Sequence, residues 1–140
     1  MTTSTTHDRG ARTAKAVAAG GLTIFAAVML FISGSMDFCR GLMGVLEDKV
    51  FLNTPQYVFE FDLTTWGWIH MLFGTVAVIV SLGLLVAMKW ARVMGVIIAA
   101  LMVIAHFLSI PYYPLWSLTL IAMDGFVIWA LCVVKKETLY

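Results

Sequence analysis

The chain has 140 residues, 61% hydrophobic and 12% charged, with a mean hydropathy of +0.95 and a formal net charge of +1. Soluble domains average about 45–50% apolar and about 25% charged residues, so a water-soluble globular fold is excluded. The near-neutral charge offers nothing to nucleic acid. A bilayer core about 30 Å thick needs about 20 apolar residues in helix. Four runs, roughly 16–38, 65–88, 90–110 and 114–134, reach that length and leave room for one membrane domain only.

In chain order, residues 1–13 are Thr-rich and polar and are expected to form a disordered tail. Helix 1 is predicted over about 14–46. Its basic flank, Arg9, Arg12 and Lys15, resembles a signal peptide, but the apolar stretch is longer than the 7–15 residues of such a segment. No lipobox precedes Cys39 either, so a retained helix is expected. Spacing of three and four puts Gly20, Thr23, Ala27, Leu30, Gly34, Asp37, Gly41 and Gly44 on one face. Nearly all are small, the composition through which membrane helices approach closely, and Gly20 and Gly21 are read as packing positions. Arg40 lies three residues after Asp37, within pairing reach.

Residues 47–63 form the only sizeable connection. Tyr57, Phe59 and Phe61 alternate with Val58, Glu60 and Asp62, a period of two that argues for a strand. Val50–Leu52 is its candidate partner across Asn53-Thr54-Pro55, giving a short loop or hairpin on the membrane surface. Helix 2, about 64–88, starts at a threonine cap and carries Gly67, His70, Gly74, Ala77, Ser81 and Leu84 along one seam. The tight turn at Lys89-Trp90-Ala91-Arg92 makes helix 3 its antiparallel neighbour. Helix 3, about 90–110, continues the pattern with Gly95, Ala99, Met102 and His106. After Pro111–Pro114, helix 4, about 114–134, aligns Ser117, Ile121, Asp124, Ile128 and Leu131. Residues 137–140 are a short tail. The expected fold is therefore an all-α, four-helix transmembrane bundle.

Basic residues set its orientation. Arg9, Arg12, Lys15, Lys89, Arg92, Lys135 and Lys136 fall on one side. The positive-inside rule makes that side cytoplasmic, with both termini. Trp66, Trp68, Tyr112, Tyr113 and Trp116 would anchor the outer interface, and Trp90 the inner one, with Trp129 a further candidate there.

Ionisable side chains inside a membrane are costly and mark a buried pair or a site. Here they are Asp37, Arg40, His70, His106 and Asp124. From the helical rise, His70 and His106 lie roughly 6–8 Å below the outer boundary, Asp37 and Arg40 near it, and Asp124 about 15 Å deep. The expectation is that Asp124 faces the interior and bonds a histidine directly or through water, while Arg40 is matched by Asp37 or an acid of the outer loop. Such a cluster would fix which helix faces meet.

The alternatives are a haem or quinone site on His70 and His106, proton handling, and a metal held by His70, His106 and Asp124, three scattered ligands. No acid or histidine continues a proton path into the inner half. No Cys-x-x-Cys or Cys/His metal spacing, phosphate loop or serine triad is present. No catalytic residue, metal or cofactor is expected. A non-enzymatic scaffold, accessory or interaction protein follows, with the lipid bilayer, other membrane proteins or a second copy as partners.

The segments Leu63-Thr64-Thr65-Trp66-Gly67-Trp68-Ile69-His70, Trp90-Ala91-Arg92-Val93-Met94-Gly95, Pro114-Leu115-Trp116-Ser117 and Asp124 resemble a family of small four-helix membrane proteins common in actinobacteria, a domain of unknown function. The resemblance covers nearly all of the chain after residue 20. It implies a four-helix integral membrane fold in the cell membrane and carries no activity, cofactor or catalytic residue. Late in helix 1, where that family has Asn followed by Asp-Gly, this chain has Asp37 and then Arg40-Gly41.

Overall fold

The computed structural model describes residues 3–46 and 63–137 as four helices: α1 Thr3–Leu46, α2 Leu63–Leu85, α3 Lys89–Ser109 and α4 Pro114–Glu137. Each contains a segment long and apolar enough to cross a bilayer. There is no strand among the described residues. The hairpin expected over 47–63 lies outside them, except for Leu63, which opens α2.

The helices form a ring in which α1 packs on α2 and α4, and α3 on α2 and α4. The α1–α2 contact is the closest, and glycines make it so. A Cβ built on Gly74 would stand 2.5 Å from the Gly34 carbonyl oxygen, and one built on Gly41 would stand 2.5 Å from the Gly67 carbonyl oxygen. Only hydrogen fits there. Gly34 meets Gly74 while Gly41 meets Gly67, so the two helices run antiparallel. Below this seam the core is aliphatic: Ala26, Ala27 and Leu30 of α1 pack with Ala77, Val80 and Leu84 of α2, Ile98, Ala99 and Met102 of α3, and Val127, Ala130 and Leu131 of α4.

The exterior is apolar too. Ile79, Leu82, Ile104, Phe107, Leu118, Phe126 and Trp129 are each more than half exposed. In water this surface would drive aggregation. In lipid it is the ordinary outer face of a bundle held by small residues and polar contacts.

Three expectations change. The tail expected to be disordered over 1–13 is helical from Thr3. Once the apolar span has nucleated the helix, each added residue needs only propagation, and no proline interrupts it. Arg12 stands 4.0 Å from Asp8, and Thr13 Oγ1 donates to the Arg9 carbonyl at 2.9 Å. At 44 residues α1 is about 66 Å long, far more than a bilayer requires. Next, Gly20 and Gly21 are not packing positions: nothing lies within 4 Å of a Cβ at either, and the buried face begins at Thr23. Finally, α2 stops at Leu85 rather than Met88. Ala87 adopts φ 57°. Its N–H bonds the Leu84 carbonyl, and that of Met88 bonds the Gly83 carbonyl, the paired closure of a Schellman turn. At the opposite end, the Tyr112 and Tyr113 amides share the Ser109 carbonyl. Pro114 then opens α4, where its missing N–H costs nothing.

Candidate functional site

All four helices meet at one polar layer. Asp37 comes from α1, His70 from two turns into α2, His106 from the last turn of α3 and Asp124 from the middle of α4. Asp37, His106 and Asp124 are fully buried and His70 is 1% exposed. The seam periodicity places them: Asp37 lies between Gly34 and Gly41, and His70 between Gly67 and Gly74, so the two glycine contacts bracket the pair.

His70 Nδ1 lies 3.4 Å from Asp37 Oδ1. His106 Nε2 lies 3.4 Å from both Asp37 Oδ2 and Asp124 Oδ2. The imidazoles stack with centroids 5.9 Å apart and planes 30° from parallel. Trp66 closes the layer with its ring edge-on to His70 at 5.1 Å. Ser33 ties α1 to α4 by donating its hydroxyl to Asp124 Oδ1 at 2.7 Å.

The nitrogen–oxygen contacts are close enough for charge attraction but longer than ordinary hydrogen bonds. Both oxygens of Asp37, both nitrogens of each histidine and Asp124 Oδ2 lack a hydrogen-bond partner among the described residues. Two carboxylates enclosed in an apolar bundle need neutralising charge, from protons, imidazolium or a cation. Asp37, His70 and His106 bring ligand atoms within 4.8 Å of one another. That set differs from the expected His70, His106 and Asp124: Asp37 takes the place of Asp124.

Asp37 is thus not at the outer boundary beside Arg40. α1 continues more than two turns beyond it, to Leu46, which carries Asp37 down to the level of the histidines. No ion pair within 4.0 Å joins it to Arg40 among the described residues, although the two charges still attract across a longer distance. Positions three apart differ by about 60° around a helix, and Arg40 turns toward the start of α4, its guanidinium 5.3 Å from the Tyr113 ring centroid. That is cation–π range.

Of the aromatic anchors, Trp68, Trp90, Tyr112, Tyr113 and Trp116 stand on the outside of the bundle, whereas Trp66 is half-buried against His70. Cys39 and Cys132 are free and exposed. Ser33 was not anticipated: it has no triad context, and its one signal is a position four residues before Asp37 on the same face.

A haem held between His70 and His106 does not fit. Axial imidazoles face each other across a porphyrin, but these are stacked, with the Asp37 carboxylate between their inward nitrogens. Neither ring has an exposed edge to offer a quinone.

No curated protein and no solved structure matches the chain. One family profile does, a domain of unknown function (DUF7144), over residues 22–136, which include α1 from Leu22, all of α2 and α3, all of α4 but its last residue, and every member of the polar layer. The chain belongs to the DUF7144 family of domains of unknown function.

Proposed function

We propose that the protein is a non-enzymatic scaffold or accessory subunit of the cell membrane, with both termini in the cytoplasm. The observation that carries this reading is the closure of the polar layer. Asp37, His70, His106 and Asp124 face one another at 0–1% exposure, so the ionisable groups tie helices together and present nothing to a substrate. What the bundle does present is an apolar surface rich in Phe and Trp, suited to lipid and to other membrane helices. The orientation is supported by the basic residues Arg9, Arg12, Lys15, Lys89, Arg92, Lys135 and Lys136, which mark the end of the bundle that carries the termini.

Extraction into polymer-bounded native lipid discs tests the reading. A scaffold or accessory subunit leaves the membrane in a stoichiometric assembly, with another protein or with itself. Recovery of the 15.5 kDa chain alone, as a monomer in its own lipid, would refute it.

A further inference from the structure

We propose that Asp37, His70 and His106 bind one divalent transition-metal ion inside the bundle, with Asp124 as the adjoining carboxylate. The inference rests on the reading of the polar layer as the internal tie of the bundle and names what completes that tie. Three observations carry it.

The first is spacing. Zinc binds imidazole nitrogen and carboxylate oxygen at about 2.0–2.2 Å, so tetrahedral donors stand about 3.3–3.6 Å apart. Asp37 Oδ1 to His70 Nδ1 and Asp37 Oδ2 to His106 Nε2 are both 3.4 Å, one on each carboxylate oxygen. One donor atom from each residue lies within 4.8 Å of the other two, so a small inward movement of the side chains brings the set onto one ion. Donors around an ion point at the ion and not at each other. At 3.4 Å these contacts are longer than ordinary hydrogen bonds but suit donors that share an ion.

The second is the polar inventory. Three side chains that are at least 99% buried leave every nitrogen and both carboxylate oxygens without a hydrogen-bond partner among the described residues. Of these atoms, His70 Nδ1, His106 Nε2 and the Asp37 oxygens face one another. Buried polar groups in folded proteins are overwhelmingly satisfied, so the convergence of these atoms indicates a shared partner. An ion there leaves His70 Nε2 and His106 Nδ1 on the far sides of the rings.

The third is charge. Asp37 and Asp124 together carry two negative charges when ionised. Arg40 acts on Asp37 only from beyond ion-pair distance, and one divalent cation at the layer neutralises both carboxylates. The neutral imidazole is the form that ligates. The donor set selects the class of ion. Two imidazoles and a carboxylate suit zinc, iron, cobalt, nickel or manganese, and the set is too rich in nitrogen for magnesium or calcium. Asp124, held by the Ser33 hydroxyl at 2.7 Å and set 3.4 Å from His106 Nε2, stands where it can accept from a metal-bound water or close the fourth position.

The experiment uses the full chain, purified in detergent without a polyhistidine tag. Metal content is measured first as purified from zinc-supplemented cells. The protein is then stripped with a chelator and titrated with zinc or cobalt(II). The expected result is about one equivalent per chain, a higher melting temperature on loading, and the visible d–d bands of a low-coordinate cobalt(II) site. His70→Ala and His106→Ala abolish these, and Asp37→Asn weakens binding at least tenfold.

Wild-type protein that is metal-free as purified, and that shows neither cobalt bands nor a thermal shift on titration, overturns the proposal, leaving the layer neutralised by protons. Metal retained equally by the His70→Ala/His106→Ala double variant overturns it as well, as an adventitious ion only. Should the variants fail to fold, the wild-type titration decides alone. Neither outcome depends on whether the chain leaves the membrane as an assembly, so failure here and failure of the scaffold reading are distinguishable.

Discussion

Replacing Gly74 by alanine sets two effects of opposite sign against each other. Inside a helix, alanine is favoured over glycine by about 1 kcal/mol. At position 74, however, the new Cβ would lie 2.5 Å from the Gly34 carbonyl oxygen and 2.5 Å from the Phe38 amide nitrogen. Both are backbone atoms of α1, so no change of rotamer relieves the clash. The helices must part by about 1 Å, and a gap of that order forfeits a quarter to a half of each dispersion contact along the seam. Overpacking of this kind costs about 1–3 kcal/mol. With little local relaxation open to two backbones, the upper half of that range applies, leaving Gly74→Ala destabilised by about 1–2 kcal/mol. Gly125→Ala is the control: nothing lies within 4 Å of its Cβ, so only the favourable propensity term acts. Equilibrium unfolding by SDS titration in mixed micelles, followed by far-UV circular dichroism, measures both. If Gly74→Ala proves as stable as wild type, in line with Gly125→Ala, then the α1–α2 contact is not as close as described, and the register that brings Asp37 to His70 loses its support.

Other expected outcomes follow from the same contacts. Ala87→Gly should stabilise the protein by about 1 kcal/mol, because Ala87 occupies the left-handed conformation that glycine adopts without penalty; the same SDS titration reads it. Asp124→Asn should leave stability nearly unchanged, since an amide oxygen still accepts from Ser33. Asp124→Leu should lose about 1–3 kcal/mol by stranding that hydroxyl and removing the carboxylate 3.4 Å from His106, with equal melting temperatures for Asp124→Leu and wild type as the refuting result. With Cys39 and Cys132 removed, single cysteines at Thr5, Asn53 and Glu137 should react differently with a membrane-impermeant thiol reagent in intact cells. Asn53 labels and the other two do not, and the reverse pattern would invert the proposed orientation.

Much of the fold is legible in the sequence because a bilayer imposes it. A membrane interior offers no water to backbone groups, so a long apolar run has helix as its ready solution, and the number of runs becomes the number of helices. The 3-4 spacing of Gly67, His70, Gly74, Ala77, Ser81 and Leu84 likewise translates directly into one buried face of α2. Helix ends are harder to read. Nothing in Val86-Ala87-Met88 announces a turn, because the left-handed residue is alanine instead of the glycine that usually signals it. The polar start of α1 reads as a tail for the opposite reason: its local composition is unfavourable, but it extends a helix already nucleated elsewhere.

The polar layer was legible residue by residue and not as an arrangement. Each of Asp37, His70, His106 and Asp124 stands out as an ionisable group in an apolar run, the first three on small-residue faces and Asp124 on a face of Ser117, Ile121, Ile128 and Leu131. Their relative depth does not follow from counting inward from helix ends, because the helices do not end at a common plane. α1 overshoots, so Asp37, nine residues before Leu46, is level with His106, three residues before Ser109. The end of helix 1 is legible, near Leu46; what misleads is setting the bilayer boundary at the end of its apolar run, near residue 38, which puts Asp37 at the surface with Arg40 as its natural partner. Correcting it changes the chemistry: the pairing of a carboxylate with a guanidinium gives way to two carboxylates facing two imidazoles. The first arrangement is neutral and satisfied by itself. The second holds its carboxylates and imidazoles 3.4 Å apart, longer than ordinary hydrogen bonds, and the proposed metal ion would complete it.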